Sequence, residues 1–338
     1  MAILTRAHEE LFRRNPDTQF ETLDAMIADC RQTHESSQDQ WVPHEQIVVT
    51  SDMTVVLDGQ PDYRFNDWSF SQLCRMAGVS RDTINRLTHK TASRALQETL
   101  PTSEKPFQVL TSGSDIRSIH GVAYTRLWND ELLHAVTEAA PGFAAPQKAM
   151  NEATGLYCGE QDMFAFLIDP TGWIEINDQA FAPGFFVWNS EVGRRSVGIQ
   201  TFWFQRVCQN HIVWDAVEVV ETTRRHTAGV RGFLDVTRTT VAQLVSRRDE
   251  RRDRFASVLG RAMRESLGDD ADSVMKQLQK HGVSKELGAK AIEMAEHSGG
   301  FTIFSLVDAL TQLSQRVKYI GDRTAVDAKV SSLLSLVA

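Results

Sequence analysis

Two aromatic and β-branched runs dominate the pattern of apolar positions: Phe185-Phe186-Val187-Trp188, and the longer stretch from Ile199 to Trp214. Between them Asn189-Ser190-Glu191-Val192-Gly193-Arg194-Arg195 reads as a turn, which predicts a strand–turn–strand unit at the centre of the chain. Three further strand pairs are expected. They are 46–50 with 53–59 around Ser51-Asp52, 107–111 with 116–126 around Ser112 to Asp115, and 163–169 with 173–176 around Pro170-Thr171-Gly172. The β-rich part therefore begins near residue 43.

Helical spacing occupies the rest. Leu4, Leu11 and Phe12, then Phe20, Leu23, Met26, Ile27 and Cys30 predict one or two helices over 3–32, broken at Asn15-Pro16. The polar segment 32–40 has little to bury and reads as a linker or mobile loop. Residues 129–139 read as a helix capped by Asn129 and stopped by Pro141-Gly142, and 142–162 as loop. Beyond Asp235 the spacing is helical throughout. A long helix spans the apolar-free segment 246–254, where Glu250 with Arg254 and Asp249 with Arg252 can pair on a wet surface, so a helix projecting from the core is expected. Helices over 271–281, 284–297, 302–320 and 324–337 follow. The pattern as a whole predicts an α+β fold: a mixed or antiparallel sheet core with packed helices over 43–235, preceded by a helical segment over 1–42 and followed by an all-α region over 236–338.

One local motif stands out. In residues 69–87, Leu73, Cys74 and Met76 lead into Ala77-Gly78-Val79-Ser80, with Ile84 and Leu87 beyond. Gly78 can close the first helix in a left-handed conformation and Ser80 can cap the second. The arrangement resembles a helix-turn-helix whose second helix would present Arg81, Asn85, Arg86 and Lys90 to a major groove; a tight helical hairpin packed on a core needs the same turn.

The net charge of −8 and an isoelectric point near 5.7 confine any nucleic-acid contact to a local basic patch. Charge is indeed uneven. From Glu191 to Arg254 there are twelve arginines, no lysine and eight acids, and arginine in place of lysine favours forked contacts to phosphate or carboxylate. An arginine-rich helix surface balanced by Asp249, Glu250 and Asp253 would give the same composition. Cysteines 30, 74, 158 and 208 are far apart without a C-x-x-C pair, and no leader-like or spanning apolar run occurs. A cytoplasmic protein without membrane contact is therefore expected. Gly155 and Gly159 fit neither nucleotide-binding glycine fingerprint. Cys208 and His211 have one zinc-like pair's spacing but no second pair, so neither a metal nor a cofactor is expected.

Asn189 to Gly193, then Arg206, Cys208 and Asn210, then Arg225-His226, resemble the phage- and plasmid-associated family known as domain of unknown function 932, over residues 46–330. Where that family commonly has glycine after the asparagine, this chain has His211, so His211 is not carried over as a site residue. The resemblance implies a mobile-element setting and no particular reaction.

Three functions follow as expectations, with binding weighted above catalysis. The first is a DNA-associated protein that takes single strands in recombination or element maintenance. It would use Arg194, Arg195, Arg206, Arg224, Arg225 and His226 on phosphates and Trp203 among the stacking aromatics. The second is a metal-dependent nuclease or phosphodiesterase built on Asp162, Asp169, Glu175, Asp178 and Glu191. The third is a non-enzymatic assembly protein in which the apolar stripes of the tail make a homo-oligomer.

Overall fold

The computed structural model describes residues 10–57, 59–101, 104–146, 154–177, 179–205, 211–214, 221–297 and 300–337. A short strand β1 (Thr18–Gln19) leads into helix α1 (Leu23–Glu35), which is started by Thr22, whose hydroxyl accepts the Ala25 N–H at 3.1 Å. The first sheet is then laid down by β2 (Ser37–Val42), β3 (Ile47–Val49), β4 (Thr54–Leu57) and β5 (Gln60–Phe65). After helices α2 (Asp67–Met76), α3 (Arg81–Ile84) and α4 (His89–Thr99), it is completed by β6 (Phe107–Ser112) and β7 (Asp115–His120). Its order is β2-β6-β7-β5-β4-β3, antiparallel except where β5 meets β7. Phe70, Leu73 and Cys74 of α2 and Ala92 and Leu96 of α4 pack on Val49, Val55, Val109, Ile116 and Ile119.

Helix α5 (Asn129–Ala139) precedes the second sheet: β8 (Leu156–Cys158), β9 (Met163–Ile168), β10 (Ile174–Ile176), β11 (Gln179–Asn189), β12 (Val197–Gln205), β13 (His211–Trp214) and β14 (Glu221–Arg224). Its order is β1-β8-β9-β11-β12-β13, with β10 paired to β11 and β14 to β12. All nine residues of β12 are buried because both faces of this sheet are covered. Alternation puts Met163, Ala165, Leu167, Phe185, Val187, Val197 and Ile199 on one face, under α1, α5 and the later helix α6 (Phe233–Ser246). The other face carries Phe164, Phe166, Phe186, Trp188, Phe202 and Phe204. Trp188 lies across the ladder from Gly198, where a Cβ would stand 2.0 Å from an indole carbon, so only glycine admits the ring.

The chain ends in α7 (Arg248–Ala262), α8 (Ala271–Lys280), α9 (Lys285–His297), α10 (Ile303–Ser314) and α11 (Ile320–Ser331). The apolar stripe of α7, with Phe255, Val258 and Leu259, closes over Phe181 and Trp203 of the second sheet. The indole of Trp203 stacks on Phe255 with centroids 4.2 Å apart and planes 6° from parallel. Among the described residues no helix is long and apolar enough to cross a membrane.

The α+β architecture, the central β11–β12 pair, the β3–β4 hairpin and the C-terminal helices match the sequence pattern. Several segments differ. The strands 163–168 and 174–176 do not pair with each other as expected but each pairs with β11, and residues 156–158 of the expected loop form β8. Residues 10–17 are not helical; Leu11 donates its N–H to the Asn85 carbonyl, and Phe12 packs on Phe70 at 4.5 Å. The polar stretch 32–40 is not a linker, because Ser37 onward forms β2, an edge strand whose ladder to β6 is satisfied by backbone and needs few apolar side chains. Among the described residues no helix projects from the core: the chain breaks at Arg247, and the next segment lies on the sheet with its outer side wet, where Arg252–Asp249 at 2.9 Å and Arg254–Glu250 at 3.9 Å pair as the spacing predicts. Finally, the helix expected over 302–320 stops at Ser314, and Ile320-Gly321 starts α11 instead.

Because Trp203 fills the seam between sheet and α7, Trp203→Ala is expected to cost about 3–5 kcal/mol of unfolding free energy. Urea unfolding followed by far-UV circular dichroism measures this; a loss under 1 kcal/mol would mean the seam is not sealed by this ring.

Candidate functional site

The Asn189–Gly193 turn is a buried knot between the two sheets. Asn189 and Ser190 are fully buried, and Glu191 is 2% exposed. The Asn189 amide donates to the Leu127 carbonyl at 2.8 Å and to the Asn129 side-chain oxygen at 2.9 Å, and the Ser190 hydroxyl donates to the Gln161 carbonyl at 2.6 Å. From the first sheet, Arg117 on β7 donates to Glu191 Oε2 at 2.7 Å, while Glu191 Oε1 accepts the Asn129 N–H that opens α5 at 2.9 Å. The Glu191 carbonyl receives the Tyr124 hydroxyl at 2.9 Å and the Arg126 guanidinium, which also forks onto Asp39 of β2 at 2.7 Å. Trp68 of α2 donates its indole N–H to the Val192 carbonyl at 2.7 Å. Gly193 closes the turn at φ +72°, with the His120 ring against it.

Of the carboxylates expected to hold a cation, Glu175 is exposed on β10 and three others are engaged elsewhere. Asp162, fully buried in its side chain, is clamped by Arg14 at 2.9 Å and Arg195 at 2.7 Å, with Gly321 leaving room for the second guanidinium. Asp169 caps its own turn by accepting the Thr171 N–H at 2.9 Å and hydroxyl at 2.7 Å. Glu191 serves Arg117 and α5, and Asp178 lies outside the described residues. Among the described residues no three His, Cys, Asp or Glu side chains converge closely enough to hold a metal ion.

The nominated contact residues separate into two groups. Arg194, Arg224 and Arg225 are exposed. They share one end of the second sheet, since Arg224 faces Val197 in the β12–β14 ladder, three residues beyond Arg194. Arg194 places its guanidinium 5.6 Å from the Trp68 ring, Arg224 donates to the Gly229 carbonyl at 2.9 Å, and Arg225 has no ion-pair partner among the described residues. The other group is withdrawn. Arg195 is committed to Asp162, Trp203 is 1% exposed beneath α7, and His226 is 7% exposed. Arg206, with Cys208 and Asn210 of the motif, lies outside the described residues.

The helix-turn-helix geometry fails for a physical reason. Gly78 does close α2 at φ +67° and Ser80 does cap α3, but α3 is one turn of four residues, too short to read a groove. Asn85 is 1% exposed and clamps Phe12, accepting its N–H and donating to its carbonyl at 2.8 Å each. Arg81 is paired with Asp67 and Asp82, and Arg86 donates to the Asp82 carbonyl at 3.1 Å.

Beside the exposed arginines lies a recess that no local spacing signalled. His120 at the end of β7 stacks on Tyr124 at 3.6 Å and 4°, and Tyr124 faces His226 at 5.4 Å. The Tyr124 and His226 rings, with Lys105, Phe107, Val122 and Thr227, line an open cavity of about 520 Å³. Neither ring nitrogen of His226 has a hydrogen-bond partner, although the ring faces the Thr125 backbone, and His120 Nε2 is likewise unpaired. Burial, reinforced by the Arg126 guanidinium, pushes His226 down to about 4 and His120 to about 3, so both imidazoles are neutral near pH 7. A wall of aromatic rings suits the face of a planar heteroaromatic ligand, the His226 nitrogens themselves being buried. Residues 107, 124 and 226 are brought together only by the meeting of the two sheets; the sole hint in the sequence was the Arg225-His226 pair.

No family model matches the chain, and no curated protein or solved structure matches it.

The depressed histidine gives a pH dependence of known sign. Unfolded His226 takes a proton near 6.5 and folded His226 only near 4, so the unfolded state gains protons first and the folded state loses stability as pH falls through that window. The slope is at most about 1.4 kcal/mol per pH unit for one group. Urea midpoints at pH 7.5, 6 and 5 should therefore show wild type declining more steeply than His226→Phe; parallel pH curves would mean that His226 titrates normally.

Proposed function

We propose that the protein binds single-stranded nucleic acid, DNA first, without cutting it, in the mobile-element setting implied by the motif resemblance. The observation that carries this reading is the adjacency of the Tyr124–His226–Phe107 recess to Arg194, Arg224 and Arg225 at one sheet end, on an otherwise acidic chain. Exposed guanidinium groups neutralise backbone phosphates, and an aromatic recess accepts an unstacked base, a contact of about 1–3 kcal/mol that tolerates any base. The cavity lies in the usual size range for pockets that enclose small ligands. Against cleavage stand the arginine clamps on Asp162 and Glu191, which leave those carboxylates no coordination to offer. Against a tail devoted to assembly stands its apolar face, spent on Phe181 and Trp203 within the same chain.

Fluorescence anisotropy with a labelled oligonucleotide across a salt series tests the proposal. Affinity should fall with salt, and Arg224→Ala with Arg225→Ala should flatten the logarithmic slope by roughly 1.4, about 0.7 for each single-strand phosphate. Val122→Asp places a carboxylate on the recess wall at a residue 47% exposed, where folding is not at stake, and should weaken binding about tenfold. Binding indifferent to salt, or to both changes, would remove the reading.

A further inference from the structure

A second cavity, of about 290 Å³, opens where the N-terminal segment crosses the start of α11, lined by Asp17, Tyr157, Arg316, Lys318, Ile320 and Arg323 together with three neighbours. Three distant parts of the chain build it: the extended residues before β1, the β1–β8 edge of the second sheet, and the loop from α10 to α11. Tyr319 holds them together, donating its hydroxyl to the Arg14 carbonyl at 3.0 Å while the Arg14 guanidinium lies 4.0 Å over its ring.

The charge in this cavity is unbalanced. Arg316 and Lys318 are exposed and have no ion-pair partner among the described residues. Arg323 is 7% exposed, and its Nε lacks a hydrogen-bond partner, the buried Asp327 standing 3.6 Å away and the Tyr157 hydroxyl facing the rest of the guanidinium. The single lining carboxylate, Asp17, is occupied by Arg14 at 2.9 Å and by the Ile320 N–H at 3.1 Å. Burial pushes the Asp17 carboxyl up, against the Ile320 N–H and the Arg14 guanidinium that hold it down. The cavity also receives the N-terminal end of the twelve-residue α11, whose dipole favours an anion there. Asp322, in that first turn, is exposed and does not line the cavity.

A buried guanidinium, two exposed cations without an ion pair among the described residues and a helix start around one space form a receptor for a compact anion with several acceptor oxygens. We propose that this cavity is an anion site that takes a phosphoryl group, separate from the Tyr124 recess and independent of what that recess binds. The group comes either from a small phosphorylated molecule or from the backbone of a strand, and both offer the same oxygens to Arg316, Lys318 and Arg323.

The test uses the full chain. Arg323→Met would expose Asp327 to the loss of its partner and endanger folding, so Arg316→Glu with Lys318→Glu is the informative variant. Isothermal titration with inorganic phosphate at low ionic strength should give saturable one-to-one binding to wild type, with chloride at equal ionic strength giving none. The double variant should bind phosphate at least about tenfold more weakly, the worth of one or two charge-assisted hydrogen bonds, and Val122→Asp should bind it as wild type does. Absence of saturable binding to wild type, or equal binding by the double variant, overturns the site. Oligonucleotide binding by the same variant assigns the source: a parallel loss supports a strand phosphate at this site, and an unchanged oligonucleotide affinity beside lost phosphate binding supports a small phosphorylated ligand.

Discussion

A carboxylate that is 2% exposed must be answered on every side, and Glu191 is answered by both sheets at once. Arg117 reaches it from β7, the first N–H of α5 reaches it from below, and Tyr124 and Arg126 occupy the carbonyl of the same residue. None of these donors can shift without leaving a buried charge or carbonyl unpaired, a loss of roughly 3–5 kcal/mol for a broken buried ion pair. An apolar contact would hold the two sheets together as tightly, but it would tolerate sliding. The ionic and hydrogen-bonded junction fixes one register between them, and the recess depends on that register because its walls come from β6, the segment after β7 and the loop after β14.

Several arginines of this chain are used inside. Arg14, Arg117, Arg126, Arg195 and Arg323 are each buried or half-buried against Asp162, Glu191, Asp39, Asp162 and Asp327 in turn. A planar guanidinium answers two oxygens in a fixed plane, which lysine cannot do, and this accounts for arginine at these inward positions, of which Arg195 alone lies in the block from Glu191 to Arg254. On α7, Arg252 and Arg254 sit in i,i+3 and i,i+4 pairs that hold little energy. Cations without an ion pair among the described residues include three arginines at one sheet end, and Arg316 and Lys318 at the second cavity.

How much of this was legible in the sequence depends on how local each determinant is. Strand alternation in 179–205, the left-handed Gly78, the Ser80 cap and the ion pairs of α7 all involve residues within a few positions of each other, and their patterns are unambiguous. The edge strand β2 was hidden because backbone ladders carry no side-chain signature, and its outward side chains look like linker. Asn85 was read as an exposed contact because its partner, the Phe12 backbone, is 73 residues away. The same distance problem concealed the recess, where residues 107, 124 and 226 are unremarkable singly. The Asn189–Gly193 motif was legible as a feature, yet its role is the reverse of a surface turn: polarity there is concentrated because the segment is buried.

Tyr124 joins the knot to the recess. Its ring is a wall of the cavity and is stacked on His120, while its hydroxyl is spent on the Ser190 and Glu191 carbonyls. The hydroxyl therefore has nothing to offer a ligand, and the ring has no freedom to turn. His226 is in the opposite position, held in place by burial but with both nitrogens unpaired. Those nitrogens are buried from solvent, so the recess presents the faces of fixed rings, a wall that does not have to reorganise around the proposed ligand. Under the proposed function, affinity at this site thus rests on the rings and the charges around it.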